Sequence, residues 1–531
     1  MRETTQHAAR LLERAQTGEA AAALAEAEAV LRAPTGDLAD GPACMHFVRV
    51  VAHIAQADPR GAIAAVEPML RAAEREGSGG WQACALASRA WQRLRLGEAD
   101  AAEHDADGVL RDLVAAEMLA TGEQEPVAAV NSRVAIAIGY YELRLYELVE
   151  PQFRSAYEMS RADGEQNGNR AMWLLNLAEM HLRWALELYQ INRVAEAESH
   201  TAEAECYAVR AAGEVCGDDA DVWRDNALLY AACSRADRDD PAGAAADIEH
   251  YTGRLRERGF NLDALATSRL FHAVALSRSG RTEQALAVMA EAVTALRPDA
   301  DWLVVASTYR TQAVLMARLG SRDAGTTLAY GDTLAAALWR QRLNTLHAAR
   351  TLHDLELLRL QHEQVARAAE LDPLTGIANR RAFDRAIELA GSRPGADRQR
   401  TAVLVVDTDK FKTINDTRGH AAGDAALRAI ARALVTQTGA HDLVARVGGD
   451  EFAVLLPGTD EAAAAAAAAR MVLAVRQIPD CIATVSVGIA VGTAAAVERT
   501  LHRADDAMYR VKRRGGDGVE WDDAGRTGLA A

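Results

Sequence analysis

Residues 446–456 read R-V-G-G-D-E-F-A-V-L-L, and this stretch decides how the last third of the chain folds. The apolar run 452–456 has the length of a buried strand, and 443–447 before it is a suitable hairpin partner. Between them, Gly448 and Gly449 let the backbone turn tightly and approach a ligand without Cβ interference. Asp450 and Glu451 follow directly, which puts two carboxylates on an exposed edge. That arrangement suits holding a divalent cation against a phosphate. A plain solvated hairpin satisfies the same pattern, so a second stretch must break the tie.

Residues 403–427 supply it: V-L-V-V-D-T-D-K-F-K-T-I-N-D-T-R-G-H-A-A-G-D-A-A-L. The run 403–406 reads as a buried strand that delivers the carboxylate of Asp407 at its C-terminal end. A polar loop follows, bearing Lys410, Lys412 and Asn415, and a helix is expected to begin near Asp424. The two stretches together resemble the GGDEF family, the diguanylate cyclases. L-D-P-L-T-G-I-A-N-R-R (371–381) is similar to that family's opening signature. T-V-S-V-G-I-A (484–490) and A-D-D-A-M-Y-R-V-K (504–512) are similar to its later elements, in the same order. The resemblance covers roughly residues 370–522. It implies an α+β domain with a central antiparallel-rich sheet flanked by helices and a palm or ferredoxin-like core.

The lysines give an independent check. Of 59 basic residues only Lys410, Lys412 and Lys512 are lysine, and all three fall inside these motifs. A lysine is a compact, strongly hydrated point charge whereas arginine is a planar fork, and a polyphosphate pocket can require the former.

The resemblance implies that two GTP molecules become cyclic di-GMP and two pyrophosphates in a homodimer with facing half-sites. By position, Asp407, Asp450 and the Thr408 carbonyl would hold two Mg²⁺ or Mn²⁺ ions per half-site, with Asp450 or Glu451 as the base. Asn415 and Asp424 would read guanine. The Lys410 and Phe411 amides, with Lys412 and Lys512, would hold phosphates beside the Gly448-Gly449 turn. The chain departs from the family twice. Gly516 stands where the family usually carries an arginine after the lysine, which weakens the expected phosphate clamp. Gly439-Ala-His-Asp442 replaces the R-x-x-D product site, so an inhibitory site is not expected even though Asp442 is retained. A GTP-binding but catalytically weak domain beneath a scaffold is the alternative; a cyclase using ATP is disfavoured by Asp424.

The rest of the chain is of another kind. Residues 371–531 carry 21 basic and 21 acidic side chains, whereas residues 1–370 carry 38 and 54 and hold the whole net charge of −16. So acidic a segment argues against a nucleic-acid partner. No apolar run is long enough for a membrane span, and the six scattered cysteines suit a reducing, cytoplasmic setting. Turn positions near 18, 58, 97, 144, 192, 240, 280 and 320 are spaced 40, 39, 47, 48, 48, 40 and 40 residues apart. Each is followed by small residues at helical steps: Gly18/Ala23/Ala27/Val30, Gly97/Ala102/Ala106, Asn192/Ala197/Ala204, and Gly280/Ala285/Met289/Ala292 closed by Pro298. The pattern resembles tetratricopeptide repeats with long helices. It predicts an all-α superhelix over 1–340 whose concave surface takes a protein, peptide or small ligand; a plain helical bundle also satisfies it. Over 341–370 a connecting helix is expected, with Leu355, Leu358, His362, Val365 and Ala369 at coiled-coil steps; a solvated helix fits as well. The cyclase domain is set at 371–522 and a tail at 523–531. The Ala-rich run 461–469 reads as a helix on the cyclase sheet.

Overall fold

The computed structural model describes residues 3–32, 41–99, 105–162, 170–215, 220–238, 240–258, 265–297, 301–392, 395–479 and 483–522. The chain divides into two compact units, Met1–Leu355 and Glu356–Ala531.

The first unit is a run of helix pairs. They are α1 (Glu3–Arg14) with α2 (Ala20–Arg32), α3 (Ala43–Ala55) with α4 (Pro59–Glu76), and α5 (Gly79–Ala99) with α6 (Ala106–Ala120). Next come α7 (Pro126–Glu142) with α8 (Tyr146–Ala162), and α9 (Arg170–Gln190) with α10 (Val194–Glu214). The last are α11 (Ala220–Ser234) with α12 (Pro241–Glu257), α13 (Ala266–Arg278) with α14 (Thr282–Thr294), and α15 (Trp302–Arg318) with α16 (Asp323–Ala368). The turns fall where the spacing put them. Positive φ occurs at Ala57, Arg144, Asn192, Gly280 and Gly320, and Asp240 caps α12. Gly18, with φ 108, lies instead in a π-helical stretch, Ala15–Glu19, that joins α1 to α2. Position 97 departs further. Gly97 lies inside α5, which runs on to Ala99, so that turn comes later than the Gly suggested. Ala102, Cys216, Pro298, Cys481 and the 523–531 tail lie outside the described residues.

Close packing explains the small residues. Ala23, Ala27, Ala197, Ala204, Ala285, Met289 and Ala292 are all buried, so neighbouring helices meet without intervening bulk. A local device starts several helices. Asp58, Asp105 and Asp240 each accept a hydrogen bond, 2.9 Å long, from the amide of the glycine three residues on. A Cβ at Gly61, Gly108 or Gly243 would lie within 2.2 Å of the capping carboxylate, so these three carboxylates occupy the space the glycine leaves, whereas Asp460 makes the same cap over Ala463. Asp58 and Asp240 are followed by proline, whose fixed φ suits the first helical residue.

The connecting helix is longer than the sequence suggested. It begins at Asp323 rather than near 341 and runs unbroken for 46 residues to Ala368. The cause is packing on the array: Leu346 and Ala349 are buried in the same core as residues of α5 to α11, and Trp339 packs on Ala185, Leu188 and Ala197. Beyond it, Leu355, Leu358 and Val365 are 58, 61 and 67% exposed, an apolar seam open to solvent in a single chain.

The second unit is an α+β domain. Its strands are β1 (Ala378–Asn379), β2 (Arg400–Thr408), β3 (Leu443–Arg446), β4 (Glu451–Pro457), β5 (Val485–Thr493) and β6 (Gly518–Trp521). They form one sheet in the order β1-β3-β4-β2-β5-β6. Central β2 is antiparallel to both neighbours, and the two outer pairs are parallel. The helices are α17 (Arg380–Ser392), α18 (Phe411–Arg418), α19 (His420–Val435), α20 (Glu461–Arg476) and α21 (Val497–Arg513). One face of the sheet packs against α19 and α20, with Leu427, Ile430, Ala464, Ala468 and Met471 in its core. The other packs against α17 and α21, with Phe383, Ile387, Ala504 and Met508. Alternation along β2 sorts its side chains: Leu404 and Val406 enter the first core, Val403 and Val405 the second. The Ala-rich run at 461 is a helix on the sheet, capped by Asp460.

Candidate functional site

The register of the sheet assembles the site. Asp407, at the end of β2, lies opposite Glu451 on one side and Ser486 on the other. The hairpin expected from the sequence is present, with Leu443 paired to Leu455 and Arg446 to Phe452. The Thr408 amide and hydroxyl both donate to the Asp450 carbonyl, each at 3.1 Å, which fixes the carboxylate-bearing turn against the end of β2.

Arg446 shapes the Gly-Gly turn. Its guanidinium donates to the Gly449 carbonyl at 2.6 Å and to Asp372 at 3.1 and 3.2 Å. Asp372 belongs to the 371–381 signature, for which the sequence offered no role. Partial burial pushes its carboxyl up, but hydrogen bonds from the Thr375 hydroxyl and amide, together with Arg446, prevail and hold it below the usual carboxylate range. The signature is therefore a turn that braces the hairpin. A Cβ on Gly448 would stand 2.6 Å from a Glu451 carboxylate oxygen, so glycine there keeps Glu451 in place.

Asp407 is 2% exposed, and its Oδ2 takes the Lys512 ammonium at 2.6 Å. Its Oδ1 is buried with no hydrogen-bond partner. Burial raises its carboxyl from 3.8 to about 6; Lys512 pulls the other way, and the charges of Asp450 and Glu451 push it up further. A buried oxygen without a donor, beside two more carboxylates, fits a hard cation. Among the described residues no three acidic, His or Cys groups form a ready cage.

The segment read from sequence as a polar loop is largely α18. Lys410 stands before it with φ 52, a left-handed conformation that ends the strand path and opens the helix. The amides of Phe411 and Lys412 thereby become the leading donors of a helix start, which favours an anion. Asn415, on α18, faces Gly423 of α19 so closely that a Cβ there would lie 2.0 Å from its Oδ1. The helix expected to start near Asp424 starts at His420, and Asp424 lies half-buried in its second turn. Lys410 and Lys412 are exposed, and only Lys512 of the three lysines meets a carboxylate.

Sequence reasoning missed Asp409. Its carboxylate accepts from the Thr484 hydroxyl at 2.7 Å, the Ser486 hydroxyl at 2.6 Å and the Asp517 amide at 2.7 Å. It thus ties the end of β2 to β5 and to the turn after α21, the helix that carries Lys512. Gly516 sits in that turn with φ 83, and a Cβ there would be 2.5 Å from an Asp409 oxygen. The departure noted in the sequence is therefore a position closed over by Asp409. The Asp442 carboxylate turns inward and accepts from the Gly439 amide at 2.7 Å.

Residues 369–518 match the family described as "Diguanylate cyclase, GGDEF domain". Diguanylate cyclase TpbB of Pseudomonas aeruginosa is 41% identical over 167 residues, which are 29% of this chain and 38% of the relative. Diguanylate cyclase DgcM of Escherichia coli is 39% identical over 168 residues, 31% of this chain and 41% of the relative. Among solved structures, the coiled coil and GGDEF domain of DgcB from Caulobacter crescentus in complex with c-di-GMP is 30% identical. It covers 33% of this chain and 97% of that chain, with a TM-score of 0.30. The chain thus spans about two fifths of the length of the curated relatives it matches. Among the described residues no helix is long and apolar enough to cross a membrane.

Proposed function

We propose, from the GGDEF domain at residues 369–518, that this chain is a diguanylate cyclase governed by its helical array. Two GTP molecules, one in each half-site of a homodimer, become cyclic di-GMP and two pyrophosphates. The observation that carries the reading is the Asp407 carboxylate: one oxygen on Lys512, the other buried and free beside the Asp450–Glu451 hairpin. Asp407 and Asp450, with the Thr408 carbonyl, would hold Mg²⁺ or Mn²⁺, which supplies charge neutralisation at the phosphates when bound.

The remaining chemistry belongs to the protein. Asp450 or Glu451 accepts the proton of one nucleotide's 3′-hydroxyl. That oxygen bonds to the α-phosphorus of the other nucleotide, and the bond to the leaving pyrophosphate breaks. The Lys410 and Phe411 amides, joined by the Lys412 amide at the head of α18, steady the phosphates with the Lys412 and Lys512 side chains. The Asp424 carboxylate accepts from the guanine N1–H and amino group, which adenine lacks, and Asn415 supplies a second polar contact. The free apolar seam at Leu355, Leu358 and Val365 supports pairing of two copies through α16. With Cys44, Cys84, Cys206 and Cys233 all unpaired, a cytoplasmic setting completes the reading.

The decisive assay is incubation of purified protein with GTP and Mg²⁺, alone and with ATP present. Cyclic di-GMP as the sole dinucleotide is expected; hybrid products would move the protein to another cyclase class. No product at all would favour a second reading, a GTP-binding scaffold, for which closed Gly516 is the one supporting observation.

Two further outcomes are expected. Product should accumulate without feedback at the 439–442 turn, because Gly439 offers no guanidinium and Asp442 is engaged with its amide. Progress curves with added cyclic di-GMP check this, and Asp442→Ala should leave them unchanged. The second outcome concerns pH. A carboxyl raised to about 6 is protonated in the folded domain below that pH, and a cation must expel the proton to bind. Apparent Mg²⁺ affinity should therefore fall by up to about tenfold per unit below pH 6 and level off above it. Titration calorimetry at pH 5 and 7.5 in two buffers should show proton release only at the lower pH.

A further inference from the structure

Arg342 is 1% exposed, although it lies on α16, whose opposite face is in solvent. An arginine so deeply buried needs partners on every side. Its Nε donates to the Arg144 carbonyl at 2.6 Å, and one Nη meets the Glu147 carboxylate at 2.5 Å. Three aromatic rings surround the guanidinium: Trp339 at 4.5 Å, Tyr146 at 5.3 Å and Trp184 at 5.7 Å. Trp184 stacks on Tyr146, with centroids 5.6 Å apart, and is backed by His200 at 3.9 Å. The other Nη is buried and has no hydrogen-bond partner, so ring faces are its company.

Tyr146 and Glu147 open α8, the Arg144 carbonyl belongs to the turn before it, and Trp184 comes from α9. They make an aromatic cage with a carboxylate at one side and a carbonyl at the other. A planar cation with donors on two edges fits such a cage, whereas an ammonium satisfies only one edge at a time. Two more α16 side chains, Leu346 and Ala349, enter the array core one and two turns on.

We propose that this cage is a guanidinium-binding site which the chain fills with its own Arg342, so that α16 is clasped to the array. The clasp is the point at which the array acts on the domain that follows α16. A guanidinium-bearing ligand, such as an arginine side chain of a partner, would compete for the cage and release the helix. That the release changes GTP turnover rests on the cyclase reading; the clasp itself does not.

The test uses the full chain carrying Arg342→Ala, with methylguanidinium as the probe. Hydrogen exchange across 335–352 should speed up at least about tenfold in the variant. Millimolar methylguanidinium should restore much of that protection and change tryptophan fluorescence, while the wild type, whose tethered Arg342 outcompetes the free probe at that concentration, shows neither response. Arg342→Lys, which keeps the charge and loses the fork, should fall between the two and covers the case in which the alanine variant does not fold. If the residual protection of either folded variant equals that of wild type, or methylguanidinium rescues nothing, the cage is not a guanidinium site. Cyclic di-GMP production by the same samples should shift at least about fivefold and return with the probe. An unchanged rate alongside rescued exchange would overturn the coupling and leave the clasp standing.

Discussion

Asp407→Asn is expected to lower cyclic di-GMP formation by about 10³-fold while leaving the fold intact. The size follows from removing a preorganised charge where negative phosphate must be neutralised. The fold should survive because asparagine matches the shape of a side chain whose surroundings are packed and fixed by the Thr408–Asp450 contacts. Stability should move the opposite way to activity. Folding raises this carboxyl from 3.8 to about 6, so between those values the folded domain holds a proton that the unfolded chain has lost. Above pH 6 the buried charge costs the metal-free domain up to about 3 kcal/mol, and the amide removes that cost. Steady-state turnover and urea denaturation at pH 7.5 without added metal check both signs. Wild-type activity in the variant would refute the assignment of Asp407.

Gly488→Ala should do the reverse, destroying stability at a position remote from any proposed chemistry. Gly488 lies in β5 beneath α21, and an added Cβ would stand 2.0 Å from the Ala504 carbonyl oxygen and 2.2 Å from the Met508 amide nitrogen. Both are backbone atoms of a helix, which cannot swing aside as a side chain can. The helix must lift from the sheet, separating Ala504 and Met508 from the core they share with Val403 and Val405. A penalty of about 3 kcal/mol or more is expected, near 10 °C in the transition of this domain. Because α21 also carries Lys512, any protein that folds should show a weakened hold on nucleotide. A melting transition within about 2 °C of wild type would mean that α21 packs farther from β5.

The legible part of this molecule was written in local patterns. The continuous apolar runs of β2 and β4 and the Gly-Gly pair gave the hairpin and the end of β2. Regular turn spacing gave the helix pairs of the array. What escaped depended on distant partners. Asp409 stands two residues from Asp407, yet its three hydrogen bonds come from residues 75 to 108 positions away. Arg342 was hidden by composition, since one arginine among 56 carries no signal of its own. The α18 helix was missed because its polar sequence gave little helical periodicity and its start depends on Lys410 adopting a left-handed conformation. The early start of α16 escaped because Trp339, Leu346 and Ala349 find their partners only once the array has formed.

The unbroken run of α16 has a consequence in rotation. At about 1.5 Å per residue, its 46 residues make a rod near 70 Å long with no proline or turn to absorb twist. Each residue along such a helix advances the phase by about 100°, so one residue inserted after Arg342 would turn the exposed Leu355 and Leu358 to a new bearing on α16 itself. Seven residues restore the phase to within about 20°. The bearing of the exposed apolar seam along α16 is therefore kept by insertions of two turns and lost by single residues.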